Sequence, residues 1–286
     1  MKELIEAAAR EAKISQIGFA RAEVFSDLGA VLAESDEVPM AEQDIEKRIN
    51  PFLIMEDAKT IIACLCSYYC GERKGNLSKY ARGIDYHFVM NDKLSKICDV
   101  LVQKGYKAQM FSDSGALNDR YIGVRAGLGF IGKNGFLINE KLGTYTFIGY
   151  IITDCEIEPS ESTPKSCLGC RKCIKACPTG ALGECGTDGY KCLSYITQKK
   201  GELTQQEQEL MRKCGTVWGC DICQDVCPHN ADAEQTDIDE FREDLIDTLK
   251  LDSNISNKEF RRIYGKRAFA WRGKAVLVRN LEILAD

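Results

Sequence analysis

Eight cysteines in the second half of the chain are spaced to hold two iron–sulfur clusters. The first run is Cys167-Leu-Gly-Cys170-Arg-Lys-Cys173-Ile-Lys-Ala-Cys177-Pro178, a C-x2-C-x2-C-x3-C-P pattern. The second, Cys220-Asp-Ile-Cys223-Gln-Asp-Val-Cys227-Pro228, is the same pattern without its first cysteine, and Cys192 stands upstream to supply it. In two-cluster ferredoxin modules the fourth cysteine of each run ligates the other cluster. That rule assigns Cys167, Cys170, Cys173 and Cys227 to one cluster, and Cys177, Cys192, Cys220 and Cys223 to the other. Three closely spaced thiolates wrap one cube, and the proline after the fourth turns the chain toward its neighbour. Soft thiolates also suit zinc or copper, so a pair of zinc sites is the plain alternative. Zinc modules prefer paired C-x2-C runs.

The remaining composition sets the context. The chain has 286 residues, 44% hydrophobic and 28% charged, which describes a globular protein of about two domains. The N-terminal decapeptide Met-Lys-Glu-Leu-Ile-Glu-Ala-Ala-Ala-Arg carries acids and lacks the apolar core of a signal peptide. No apolar run approaches a membrane span. With eight of 15 cysteines in cluster spacing, a reduced cytoplasm is expected. Of the other seven (Cys64, Cys66, Cys70, Cys98, Cys155, Cys185 and Cys214), most read as small buried hydrophobes; Cys214 precedes the second run but fits no ligand spacing. Net charge is −5, whereas a purely electrostatic nucleic-acid binder is usually basic. The charge is uneven, however. The stretch 251–286 holds eight bases (Lys258, Arg261, Arg262, Lys266, Arg267, Arg272, Lys274, Arg279) against four acids. It reads equally as a face for phosphate or as a solvated helical surface.

Periodicity predicts a mixed α+β first half. Helices are expected over 1–14, 41–49 and 117–127, and through Leu94, Ile97, Cys98 and Leu101, with Gly105 stopping the last. Strands are expected at Ile17–Ala20, Thr60–Tyr69, Tyr106–Phe111 and Thr144–Thr153. The third of these delivers Asp113 at its end. Glu156 to Ser166, with Pro159 and Pro164, reads as a linker. The division is therefore 1–158, a cluster module at 159–232, and a short helical segment at 233–286. About 155 residues precede the clusters, so electrons are expected to go somewhere inside the protein.

Four motifs, in register, say where. Tyr80-Ala-Arg-Gly-Ile-Asp-Tyr-His87 resembles Tyr-Ala-x-Gly-x-Asp-Tyr-His. Arg125-Ala-Gly-Leu-Gly-Phe-Ile-Gly-Lys-Asn134 resembles Arg-Ala-Gly-Leu-Gly-Trp-Ile-Gly-Lys-Asn. Cys192-Leu-Ser-Tyr-Ile-Thr197 resembles Cys-Ile-Ser-Tyr-Leu-Thr, and Gly219 to Asn230 closes the match. Together they resemble the epoxyqueuosine reductases, cobalamin-dependent enzymes that complete the queuosine base in tRNA. The resemblance implies a nitroreductase-like, cobalamin-binding α+β domain followed by a ferredoxin-like module whose two [4Fe-4S] clusters reduce the cobalt. It places the proton-donating acid at Asp113, where a buried carboxyl keeps a raised pKa; taken alone, Asp113 reads as a helix N-cap. It also implies cofactor contacts from His87, Asp113, Lys133, Asn134, Leu137, Ser194, Tyr195 and Ile196. His229 reads as local structure. Gly127, Gly129 and Gly132 serve either close cofactor approach or a tight turn.

The chain departs from the family at Asp113-Ser-Gly-Ala116, where the family reads Asp-Thr-Ala-Pro, and at Asp119-Arg120 for Glu-Arg. It resembles a short member without the C-terminal helical-repeat extension. The expected function is reduction of epoxyqueuosine in tRNA, with tRNA and an external low-potential electron donor as partners and no membrane. The alternatives are a corrinoid reductase of a small molecule, and a non-catalytic iron–sulfur carrier serving a cobalamin partner.

Overall fold

The apolar run from Thr60 becomes the centre of the sheet, and both of its faces are covered. In the computed structural model, which describes residues 1–35, 38–161, 165–184 and 186–285, helices and strands alternate through the first half. The order is α1 (Lys2–Glu11), β1 (Gln16–Arg21), α2 (Ser26–Ala33), α3 (Ile45–Ile49), β2 (Thr60–Ser67), α4 (Tyr86–Gln103), β3 (Ala108–Ser112), α5 (Asp119–Arg125), the short pair β4 (Phe130–Ile131) and β5 (Leu137–Ile138), and β6 (Thr146–Thr153). The main sheet runs β1-β2-β6-β3, with every neighbouring pair antiparallel. All eight residues of β2 are buried. Ile62, Cys64 and Cys66 point into one apolar cluster with α1 and α4, while Ile61, Ala63 and Leu65 enter a second with α2 and α5. Successive strand residues face opposite sides, so a sheet covered on both sides requires an uninterrupted apolar run.

Several boundaries differ from expectation for local reasons. α4 starts at Tyr86 rather than near Leu94, because Asp85 caps it: the Asp85 side chain accepts from the His87 N–H. α5 is capped by Asn118, whose side chain accepts from the Tyr121 N–H, so Asp113 is not a cap. Asp113 has a φ of 59° and ends the turn that leaves β3. Of the expected linker 156–166, Ser162, Thr163 and Pro164 lie outside the described residues. Its front half is stitched to the sheet edge, since Ser160 N–H donates to Phe19 O at 2.9 Å and Phe19 N–H donates to Ser160 Oγ at 3.0 Å.

The second half is built from short pieces: α6 (Lys172–Ala176), β7 (Leu182–Gly183), β8 (Gly186–Thr187), α7 (Leu193–Gln198), α8 (Gln205–Cys214), α9 (Ile222–Asp225), α10 (Asn257–Tyr264) and α11 (Lys274–Ala285). α6 packs on α9, bringing the two cysteine runs together. Trp218, Phe260, Phe269 and Leu277 form an apolar cluster with Leu77 and Ala81, so the C-terminal segment packs back onto the stretch that leads into α4. No helix among the described residues is long and apolar enough to cross a membrane.

α11 is tied to the cluster module by Asn280, which is fully buried. Its amide donates to Thr197 O at 2.7 Å and Val217 O at 2.8 Å. Asn280→Ala leaves two buried carbonyls unpaired, a cost of about 1–3 kcal/mol. The expected outcome is a lower thermal midpoint, read by circular dichroism, and faster cluster loss read by visible absorbance. Wild-type values on both would show that α11 does not hold α7.

Candidate redox site

The fold brings cysteines of the two runs close together. Cys167, Cys170, Cys173 and Cys227 line one cavity. Burial raises the thiol of Cys227, and the neighbouring thiols of Cys173, Cys167 and Cys170 raise it further. The other set shows the same reciprocity. Burial drives Cys223 upward, followed by its neighbours Cys220, Cys192 and Cys177; burial pushes Cys220 up to about 12. Thiolates crowded and buried in this way need a cationic partner, and binding one drives off their protons. Cys214, at the end of α8, adjoins the second set, since its thiol acts on that of Cys220; its spacing gave no sign of this. Cys64, Cys66 and Cys155 are buried, and Cys185 lies outside the described residues.

Orphaned polar atoms test the fit of a cluster in the first set. The Asn134 amide nitrogen and His229 Nε2 are buried without a partner, and both residues line the cavity with the four thiols. Lys133 N–H already donates to Cys167 Sγ at 3.3 Å. These are donors aimed where cluster and thiolate sulfurs would sit. His229, read from sequence as local structure, thus belongs to this wall.

The sequence-assigned cofactor residues fall into three places. Asn134 and the Lys133 backbone lie at the first thiolate set, while Lys133 Nζ pairs with Glu184 at 2.8 Å. Leu137 and Ile196 are core residues, 2% and 4% exposed; Leu137 packs on Gly123 and Ile196 on α8. Their side chains are spent on packing rather than on an open cofactor wall. Ser194 is partly buried and its carbonyl accepts from Thr197 and Gln198; Tyr195 meets Tyr190 edge-to-face at 5.5 Å. Gly127 and Gly129 serve chain-on-chain contact, with a side chain there meeting Glu161 O and Ile138 O respectively.

His87 and Asp113 do meet. His87 Nδ1 lies 2.7 Å from Asp85 Oδ1, and His87 Nε2 lies 3.5 Å from Asp113 Oδ2. Tyr86 Oη donates to the same Asp113 oxygen. The Tyr86 ring is clamped between His87 and Phe147, with centroids at 4.2 and 4.3 Å. The hydrogen bonds to Asp113 and then to Asp85 raise His87 to about 9, against the opposing effect of burial. For Asp113, burial acts upward, but the hydrogen bonds from His87 and Tyr86 outweigh it and its pKa is lowered. The expectation of a raised carboxyl is therefore corrected for the protein without cofactor, where Asp113 is ionised beside a protonated imidazole. Arg120, part of the Asp119-Arg120 departure noted in the sequence, lowers the pKa of Asp113 through its charge, and its Nη1 donates to Gly135 O at 2.9 Å. Gly135 lies on a cleft of about 460 Å³ that is also lined by Ile131, Gly132, Lys133, Gly183, Gly186 and Thr187.

Fold and thiolate sets together define an iron–sulfur oxidoreductase. Residues 166–230 match the 4Fe-4S double cluster binding domain, and residues 48–114 match the family described as epoxyqueuosine reductase QueG, DUF1730. The epoxyqueuosine reductase of Bacillus cereus is 36% identical over 98% of this chain and 78% of its own. The structure of epoxyqueuosine reductase from Streptococcus thermophilus superposes with a TM-score of 0.85 at 33% identity, over 99% of this chain and 80% of that one. A crystal structure of epoxyqueuosine reductase with an epoxyqueuosine-modified tRNA-Tyr stem loop superposes with a TM-score of 0.89 at 30% identity, over 99% and 80%. This chain belongs to the epoxyqueuosine reductase family.

Two measurements test the site. Anaerobically reconstituted protein should carry about eight irons, and Cys192→Ser should lose as much iron as Cys220→Ser; full iron content in the Cys192 variant would remove it from the ligand set. Asn134→Leu should keep the iron and lower the potential of one cluster, because hydrogen bonds to sulfur raise cluster potentials. An unchanged EPR-monitored redox titration would show that Asn134 does not reach a sulfur.

Proposed function

We propose that this chain reduces epoxyqueuosine to queuosine in tRNA, in the cytoplasm, using two [4Fe-4S] clusters and cobalamin recharged by an external low-potential donor. Family membership supports the substrate. The observation that carries the chemistry is the Asp85–His87–Asp113 line with Tyr86. Residues 1–158, with a nitroreductase-like core, would hold the corrin and substrate; 159–232 would hold the clusters, and 233–286 would close the structure.

Removing the epoxide oxygen to leave an alkene consumes two electrons and two protons and releases water. Cobalamin, when bound, supplies a strongly reducing cobalt that passes the cluster electrons to the substrate. The cleft at Gly132, Gly135, Gly183 and Gly186, with the half-exposed Ile131, is also lined by Cys167 of the first thiolate set. His87, Lys133 and Tyr195 would hold the corrin, and Asp113 would face the reacting oxygen. Asp113 ionised cannot donate. His87, protonated at neutral pH and in contact with it, supplies the proton that Asp113 Oδ2 passes to the departing oxygen. Asp85 fixes the imidazole through Nδ1 and stabilises its charged form, and Tyr86 holds the Asp113 rotamer.

The direction of the pKa shifts gives the pH dependence. His87 is raised from its ordinary value, so its pairing contributes fully below about 6.5 and is lost as pH rises through about 9. Asp113 is lowered, so its pairing is present above the ordinary carboxylate range and is lost as pH falls through the depressed value. Turnover should therefore fall on an alkaline limb near pH 9, and His87→Gln should abolish that limb. A limb that persists in the variant would assign it to another group.

Asp113→Asn should retain iron content and cobalamin binding, read by absorbance, while kcat falls by about a hundredfold or more. Wild-type turnover on epoxyqueuosine-containing tRNA would refute Asp113 as donor. The basic stretch of the C-terminal segment contributes less to RNA than its count suggests. Arg267 is buried against Arg82 O and Asp244, Arg279 holds the Lys199 and Gly201 carbonyls, and Lys274 binds Ile255 O. Lys258, Arg261, Arg262 and Lys266 remain exposed.

A further inference from the structure

The turn Ala268–Arg272 presents an aromatic that the fold does not use. Ala268 and Phe269 are buried and fix the turn, yet Trp271 on the same turn is 56% exposed. An indole carries a large apolar surface that folding usually hides. The chain has two tryptophans, and the other, Trp218, is fully buried and donates to Tyr80 Oη at 2.8 Å.

The guanidinium of Arg272 lies over the Trp271 ring, 3.8 Å from its centre. Its Nη2 reaches only Met40 Sδ, at 3.5 Å, and its Nε has no hydrogen-bond partner. Among the described residues no ion pair includes Arg272. A planar cation held flat on an aromatic, without a carboxylate, is preorganised for an anion or for the face of a base.

A series of contacts runs from this pair to α7. Met40 is exposed, and Pro39 packs on Gly189 so closely that no side chain fits there. Tyr190 follows, 50% exposed, with its ring edge-to-face on Tyr195. Tyr195 stands on α7, which begins directly after the expected cluster ligand Cys192. The acids along the way are occupied: Asp188 pairs with Lys191 at 2.8 Å, and Glu42 pairs with Lys47 at 3.7 Å.

We propose that Trp271, Arg272 and Tyr190 form a stacking platform for unpaired bases of the RNA loop that carries the reacting nucleotide. The proposal rests on the tRNA reading above. Single-stranded loops are recognised by stacking splayed bases on aromatic rings and arginine planes, which a duplex cannot offer. The unpaired guanidinium adds a phosphate contact, and the soft, adaptable Met40 side chain fits a varied base.

An anticodon stem-loop RNA is titrated into the cluster-loaded protein, with a fully paired duplex of equal phosphate number as control. Tryptophan emission and the anisotropy of labelled RNA are both followed. The loop should quench emission, because Trp271 is the tryptophan it can reach, and the duplex should not. Trp271→Ala should weaken loop binding by about tenfold or more, whereas Trp271→Tyr should bind within about threefold of wild type and lose only the quench. Arg272→Gln should reduce the log–log salt slope by about one. Trp271→Ala should still reduce the free epoxyqueuosine nucleoside at the wild-type rate. Wild-type loop affinity in Trp271→Ala, or equal quenching by loop and duplex, overturns the platform. So does a change in self-association with RNA affinity intact, which would assign the face to a second copy. If the wild-type protein binds no loop at any salt, the tRNA reading falls and the platform with it; if it binds and turns over tRNA while Trp271→Ala matches it, only the platform falls.

Discussion

A buried network of amide and hydroxyl groups at the junction of the two halves holds everything else in register. Gln224 and Asn230 belong to the second cysteine run and are 2% and 8% exposed. Gln224 Oε1 accepts from Tyr68 Oη at 3.1 Å and from Thr144 Oγ1 at 2.9 Å. Asn230 Oδ1 accepts from Thr144 N–H at 2.7 Å, while its amide donates to Thr144 Oγ1 and Gln224 O. A satisfied network in a low-dielectric interior is geometrically demanding, and losing one member strands the others. Here it fixes the last cysteines against the sheet that carries the acid. Gly143, with a φ of 61°, lies against Asn230 Oδ1 where a side chain would displace the amide.

The junction has an ionic layer as well. Asp221, between Cys220 and Cys223, accepts from Lys79 N–H at 2.7 Å and from Ser78 Oγ. Lys79 Nζ pairs with Asp225 and stands 5.3 Å from the Tyr145 ring centre. One partner in each pair comes from the approach to α4 and the other from the second cysteine run. Displacing the cluster module would therefore strand partly buried charge, which is far costlier than losing a surface pair.

The electrostatics of the site follow from that placement. The first thiolate set opens toward solvent at Cys170. In the protein without its cofactor, Asp113 is an ionised partner of His87 rather than a neutral acid. Its side chain is 58% exposed, and a large flat ligand covering it would remove solvent and move its pKa upward.

The double-cluster module was legible because its cysteine spacing lies along the chain, and a cube demands three neighbouring ligands plus one from elsewhere. The sheet was legible because a strand covered on both faces needs a continuous apolar run, as Ile61 to Cys66 supply. The motif around Tyr86 and His87 marked the acid's neighbours, although it did not reveal that Asp85 both caps α4 and orients the imidazole. Other assignments turned on tertiary contact. Leu137 and Ile196 look the same in sequence whether they face a cofactor or a core, and only packing against Gly123 and α8 decides for the core. Asn134 and His229 became cluster neighbours because two distant loops close on one cavity. The sign of the Asp113 shift depends on two hydrogen bonds across a gap of 26 to 27 residues, and the exposure of Trp271 depends on where its turn is anchored. Sequence determined the sheet and the cluster module, since those follow from spacing and periodicity. Tertiary structure decided the state of that acid and which side chains remain free for a partner, because charge and exposure are set by neighbours that the chain brings together only on folding.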